Sequence, residues 1–424
     1  MRLFSAKLPS RVNMADAFIT LHKNDKYAFY LDREINQDNP FSVIGGSHSV
    51  LSEAEAKEYL TSIRSFVDDS LPFDFRPGLV GAISYEGEQH WLPVDRALVL
   101  DHKHGVLYFL GLFESEAEFQ HWEQAALLRL ALIGGERANY LSVRQLDAPK
   151  SIWFRHSDSE YLSLIESCKE RISKGDAYQL CLTNQITLET SNDPFAVYLN
   201  LRSISPAPYS AYIKLGDTAI VSSSPEQFLK VSNGLVSTKP IKGTRPRGKT
   251  QEEDLQLAEG LRTNEKERAE NLMIVDLMRN DLALVSEPDD VVVTKLFDVE
   301  SYASVHQLVS TVTAKLKPGL DVFDAIKAAF PAGSMTGAPK ISAMEILAGL
   351  ENGPRGIYSG ALGFIGSNGS CELGMTIRTI VFEEGRATIG IGGGITIDSV
   401  ASEELAETKL KAKALLSALG VLVA

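Results

Sequence analysis

The segment Pro240 to Gly248, PIKGTRPRG, places Lys242 between an isoleucine and a glycine. Proline fixes φ, and glycine lets main chain come close to a bound molecule. Such a setting can desolvate an ammonium and favour the neutral, nucleophilic amine. Arg245 and Arg247 just downstream would add like-charge repulsion. The same letters also fit a surface turn with a solvated lysine. Two acidic pairs accompany it. In NEKERAENLMIVDL, Glu267 and Glu270 stand three apart on a predicted helix and share one face. In DSVASEELAETKLKA, Glu404 and Glu407 repeat that spacing. Facing each other, the pairs would form an all-oxygen site suited to Mg²⁺. Taken singly they read as solvated helix faces, with Glu403 and Glu404 favoured by the helix dipole and Glu407 paired to Lys411.

Anion recognition has three candidates. In IGIGGGITIDS, Gly392, Gly393 and Gly394 offer adjacent main-chain N–H groups that can cradle a carboxylate. The lysine and hydroxyl of a phosphate loop are absent there. Arg378, in MTIRTI, falls within a run that reads as an apolar strand, where its guanidinium needs a carboxylate from the protein or from a ligand. Ser334 and Thr336, in PAGSMTGAPK, precede a predicted helix and fit either an anion contact or a plain cap. His306 is the histidine set in a dense apolar stretch, as a satisfied core residue or a substrate contact. No GxSxG, HExxH or Cys–His spacing occurs.

The elements that must position these groups alternate in type. Strand-like runs at Lys26 to Leu31, Leu79 to Tyr85 and Val106 to Leu112 accompany helices at Ser52 to Val67 and Glu116 to Ile133. The polar segment Gly134 to Lys150 reads as a linker. Beyond it, Tyr161, Leu164, Ile165, Cys168 and Ile172 share one face of a helix over Glu160 to Ser173. Ala211 to Ser222 and Phe228 to Ser237 read as paired strands, and Glu265 to Leu284 as a long helix. After a helix at Val322 to Phe330 and another from Ile341, strands are expected at Tyr358 to Ile365, Met375 to Phe382 and Ala387 to Ile391. Strand pairs separated by helices predict an α+β protein with antiparallel sheets under helical cover. The net charge of −13 argues against nucleic acid and anionic membranes as partners. Cys168, Cys181 and Cys371 are too scattered for a disulfide framework or a zinc site. The first residues lack a signal-peptide core, and no apolar run spans a bilayer, so a cytoplasmic protein is expected.

The segments GDAYQLCLT, SSSPEQF, PIKGTRPRG, KERAENLMIVDLMRND, FPAGSMTGAPK, IYSGALGFI, MTIRTI, IGGGITIDS and EELAET, in this order, resemble the chorismate-utilising enzymes. The resemblance implies the fold of anthranilate synthase component I, with large antiparallel sheets flanked by helices around a central cleft. It divides the chain into an N-terminal region, 1–145, and a chorismate-binding catalytic region, 152–424. Members that deliver water to the ring carry lysine where this chain has Gln179. Anthranilate synthases carry alanine at Lys242, and the lysine form marks the aminodeoxychorismate synthase component I branch. Glu226 of SSSPEQF matches the general acid. The implied reaction has Lys242 attack C2 of chorismate while Glu226 protonates the departing C4 hydroxyl. Ammonia then adds at C4 to give 4-amino-4-deoxychorismate. Glu270 and Glu407 resemble Mg²⁺ ligands, with Glu267 and Glu404 holding its waters. Arg378, Tyr358 and the N–H groups of Gly392 to Gly394 match residues that hold a substrate carboxylate. Thr244, His306, Ser334 and Thr336 match positions lining the site. A separate glutamine amidotransferase subunit is expected to supply ammonia. The sequence departs from the family at Ala401 and Ser402, where proline and glutamate are usual. It departs again at Leu31 to Glu34, LDRE, where tryptophan-binding relatives carry an LLES-like element. Anthranilate synthase, and a non-catalytic protein binding chorismate or tryptophan, remain as alternatives.

Overall fold

Short runs of alternating and apolar residues build two antiparallel sheets, of 12 and 9 strands, in a computed structural model that describes residues 1–10, 12–63, 71–143, 146–302 and 305–422. Strands from early and late in the chain neighbour one another in both. Tyr27–Asp32 pairs with Tyr209–Leu215 in the larger sheet, and Gly78–Ile83 with Ala361–Gly366 in the smaller. Residue 145, the expected edge of the N-terminal region, lies outside the described residues.

The layers follow from which side chains each strand hides. Phe29, Leu31 and Ile213 of the larger sheet pack with Val80, Leu92 and Phe364 of the smaller to form a core between the sheets. The outer face of the larger sheet is covered by the helices Met14–His22, Glu116–Leu130, Pro194–Ile204 and Ala401–Ala418. The outer face of the smaller one is covered by Glu265–Ala283 and Val322–Ala329.

Two neighbouring stretches of chain cross together from one sheet to the other, and this corner positions the site. Thr218–Ser224 pairs with Thr379–Glu383 in the larger sheet, whereas Gln227–Ser232 pairs with Cys371–Met375 in the smaller. Glu226 and Arg378 sit at the crossing. Met375 N–H donates to the Glu226 carbonyl at 2.9 Å, and Ser223 N–H to the Arg378 carbonyl at 3.0 Å.

Several expectations need correction. Ala211 to Ser222 and Phe228 to Ser237 do not pair with each other; each contains a hairpin, in different sheets. The second hairpin turns at Asn233 and Gly234, with φ of +50° and +75°, the left-handed pair that a two-residue hairpin of this hand requires. The run Met375 to Phe382 is broken rather than continuous. Arg378 lies between the strands Cys371–Met375 and Thr379–Glu383 with φ +51°, a backbone that ends a strand. Tyr358 likewise lies in a turn, ahead of the strand Ala361–Gly366. Within the expected linker, Glu136–Val143 is helical, because Tyr140 is buried and donates to Asp193 at 2.8 Å. The helix expected at Ser52 to Val67 is observed as Glu53–Ile63, and residues 64–67 lie outside those described.

Candidate active site

Lys242 lies on the strand Ile241–Pro246 at the end of the smaller sheet. Its neighbour Gly243 has φ +84°, and a Cβ there would run into the Glu267 carboxylate and Leu261, so only glycine fits. The Pro240 carbonyl accepts from Ser310 N at 3.2 Å and Asn271 Nδ2 at 3.5 Å, tying the lysine strand to the helix Glu265–Ala283. Arg245 and Arg247 do not stand as bare charges beside the lysine. Arg245 pairs with Glu267 at 3.0 Å, and Arg247 grips Asp254 through two nitrogens at 2.7 and 2.6 Å. The Lys242 amine itself has no hydrogen-bond or ion-pair partner among the described residues.

Three groups converge on that amine. Gln179 starts the strand Gln179–Glu189 and is buried, yet neither its amide oxygen nor its nitrogen has a partner among the described residues. An orphaned buried amide costs free energy unless a bound molecule meets it. A Cβ at Gly394 would collide with that amide and lie 3.5 Å from Lys242 Nζ, so the glycine leaves the space the two side chains share. Glu226, at the corner between sheets, accepts a hydrogen bond from Ser334 Oγ at 3.2 Å. Burial pushes the Glu226 carboxyl up to about 7, while the Lys242 charge, the Ser334 hydroxyl and the Ile241 main chain pull it down. A carboxyl poised there can hold and release a proton near neutrality.

Arg378 is half-buried without a hydrogen-bond or ion-pair partner among the described residues, and burial lowers its pKa against the pull of Tyr358 and Glu407. The Tyr358 ring covers Gly390, where a Cβ would overlap it, and burial holds its hydroxyl well above the usual range. An unpaired guanidinium beside a tyrosine suits a ligand carboxylate.

The glycines Gly392, Gly393 and Gly394 do not form the expected cradle. They continue the extended strand Arg386–Ile395 and pair with Thr183, Leu182 and Cys181. Pairing with Thr379–Glu383 stops at Ile389, so beyond it the other edge of the strand lacks a ladder partner among the described residues. His306 is not brought into the group. Its ring nitrogens meet Ser301 Oγ at 2.8 Å and Asp254 Oδ1 at 2.9 Å. Thr336 turns its hydroxyl to the Ala332 and Gly333 carbonyls of its own turn, and Thr244 is exposed opposite Gln307.

The four glutamates lie on two helices, Glu265–Ala283 and Ala401–Ala418. Among the described residues no three acidic side chains converge to hold an ion, because each of three is turned to a protein partner. Glu267 meets Arg245, Glu404 meets Ser399 Oγ at 2.8 Å, and Glu407 meets Lys411 at 2.8 Å. The helices still bring the carboxylates within electrostatic range. Burial raises Glu270; Lys242 and Lys266 offset this, and Glu267 and Glu404 push it further up. Glu407 is held below its usual value, since Lys411, Lys242 and Lys266 outweigh its partial burial. Carboxylates that repel across two helices fit a hard, oxygen-seeking cation. Lys411, whose Nζ also donates to the Gly392 carbonyl at 2.9 Å, was not anticipated as a site residue. Its i,i+4 spacing from Glu407 is the one signal in the sequence, and it fits a surface pair equally well.

The family model for chorismate binding enzymes matches residues 19–417. The chain is 39% identical to the aminodeoxychorismate synthase of Streptomyces griseus, over 98% of this chain and 64% of that protein. It is 36% identical to anthranilate synthase component 1 of Methanothermobacter thermautotrophicus, over 85% of this chain and 81% of that one. The chain thus spans less than two thirds of the Streptomyces relative. The crystal structure of anthranilate synthase component I from Streptococcus pneumoniae superposes with a TM-score of 0.77 at 29% identity, covering 98% of this chain and 92% of that one. No described helix is long and apolar enough to cross a membrane. The chain belongs to the chorismate binding enzymes.

Proposed function

We propose that this chain converts chorismate and ammonia to 4-amino-4-deoxychorismate and water, as the name of its Streptomyces relative suggests. The observation that carries the reading is the unpartnered Lys242 amine beside a buried Glu226 whose carboxyl is raised to about 7. Lys242 Nζ bonds to C2 of chorismate, the C4–O bond breaks, and Glu226 gives its proton to the departing hydroxyl, which leaves as water. Ammonia bonds to C4, the C2–Nζ bond breaks, and the proton ammonia sheds returns to Glu226. Gln179 offers an amide where water delivery would need a base, so water is not activated at C2. Arg378 and Tyr358 would hold a substrate carboxylate.

Glu270 and Glu407 would hold Mg²⁺, and Glu267 and Glu404 its waters, once Glu407 exchanges Lys411 for the ion. The ion supplies charge neutralisation for the ring carboxylate of a dianion entering a protein of net charge −13. A glutamine amidotransferase subunit would supply the ammonia. Three free, buried cysteines suit a reducing compartment such as the cytoplasm.

The test is to incubate the chain with chorismate, Mg²⁺ and ammonium and to identify the product by mass. Aminodeoxychorismate is expected. Coverage of 81% of an anthranilate synthase makes anthranilate the second reading. Its fluorescence and the release of pyruvate would identify it. Binding of chorismate with no consumption would overturn both in favour of a non-catalytic protein.

A further inference from the structure

Arg355 lies between the helix Lys340–Glu351 and the strand Ala361–Gly366, with its side chain 2% exposed. Its guanidinium forms a two-point pair with Glu351, Nε to Oε2 at 2.8 Å and Nη2 to Oε1 at 2.7 Å. Further N–H groups go to main chain. Nη1 donates to the Met335 carbonyl at 2.6 Å, and Nη2 to the Cys181 carbonyl at 2.8 Å. Glu351 Oε1 also accepts the Thr183 N–H at 2.9 Å, and the Tyr85 ring covers the guanidinium at 4.2 Å.

The segments joined in this way carry the site. Met335 follows Ser334, whose hydroxyl meets Glu226. Cys181 and Thr183 follow Gln179 on its strand. A buried ion pair adds little net stability over an apolar replacement, but a planar fork fixes several acceptors in one geometry, which an ammonium cannot do. We propose that Arg355 is a positioning residue: through Met335 and Cys181 it sets Ser334 against Glu226 and Gln179 against Lys242. The inference rests on reading Glu226 as the acid of the proposed reaction. The charged group facing Glu226 is Lys242, and its other partners are the Ser334 hydroxyl and the Ile241 main chain.

The test uses Arg355→Lys and Arg355→Met, alone and combined with Ser334→Ala. One readout is infrared titration of the protonated Glu226 carboxyl, identified by its loss in Glu226→Gln. It needs no substrate, so it reports on Arg355 even if chorismate is not turned over. The other readout is kcat with chorismate, Mg²⁺ and ammonium. Both Arg355 variants should lower kcat by about 10²-fold, the scale of a small misplacement. Both should move the Glu226 titration upward as Ser334→Ala does, with no further movement in the double variants. If Arg355→Met fails to fold, the charge-retaining Arg355→Lys carries the test. A folded Arg355→Lys with an unmoved Glu226 titration, or shifts that add in the double variant, overturns the proposal.

Discussion

Ser334 Oγ donates to Glu226 Oε1 at 3.2 Å, so a single helical turn more than a hundred residues downstream tunes the carboxyl at the corner between the two sheets. That bond stabilises the carboxylate and lowers a pKa that burial has raised to about 7. Ser334→Ala should therefore shift the Glu226 titration upward. A general acid works when protonated, so the fall in kcat/KM above pH 7 should move to higher pH in the variant. A pH profile of chorismate consumption that falls at the same pH in both proteins would remove Glu226 from the acid role.

The same shift makes a stability prediction. Between pH 4.5 and about 7 the folded state holds a proton on Glu226 that the unfolded state releases. Stability therefore declines as pH rises through that window, by about 3 kcal/mol in all for this one group. Glu226→Gln removes the burden while keeping the shape. It should raise Tm at pH 8, with the gain narrowing toward pH 5, and cut turnover by about 10²–10⁴-fold. Thermal melts at the two pH values check the sign.

The helices were legible because their periodicity is local: Tyr161, Ile165 and Cys168 are buried on one face, as the spacing requires. The corners were not. Met375 to Phe382 reads as one largely apolar strand around Arg378, and what breaks it is a change of partner from Gln227–Ser232 to Thr218–Ser224, which no local pattern encodes. Gly392 to Gly394 show a second case of non-local pairing overriding the local letters. Three glycines suggest a turn, but a long neighbouring strand keeps them extended, and their small size serves the approach of Gln179 and Glu404. Residues of the site were identified as types, whereas their partners depend on non-local pairing. Arg355 illustrates the limit, since its acceptors on Met335 and Cys181 are brought to it only by the fold.

Lys242→Ala removes the amine and leaves the Gln179 amide facing a gap. Intact-mass measurement after brief exposure to chorismate should show an adduct on the native chain and none on the variant. Turnover should fall by roughly 10³-fold or more, as expected when a nucleophile is lost. An adduct of the same mass on the variant would place the covalent step elsewhere.

Glu407 is paired with Lys411 at 2.8 Å, and the opposing reading is that this pair is only a solvated helix face. An exposed pair of this kind contributes about 0–1 kcal/mol, so Glu407→Gln should leave Tm nearly unchanged. Mg²⁺ affinity should weaken by about tenfold or more if the carboxylate is a ligand. Calorimetric titration with Mg²⁺ decides the matter, and an unaltered isotherm would leave the helix face merely solvated.

Gly394 gives the most direct test of how Gln179 and Lys242 are placed. Its backbone is extended, so alanine strains no dihedral, and the only obstacle is the Gln179 amide with Lys242 Nζ 3.5 Å away. Gly394→Ala should fold with a loss of about 1–3 kcal/mol from overpacking. The methyl must displace Gln179 from Lys242, so chorismate turnover should fall much further than stability does. Pairing the substitution with Gln179→Ala opens the space again and should recover stability, though not activity, because the amide that shares the space with Lys242 is then gone. If Gly394→Ala retains native kinetics, Gln179 and Lys242 do not share the space the structure gives them.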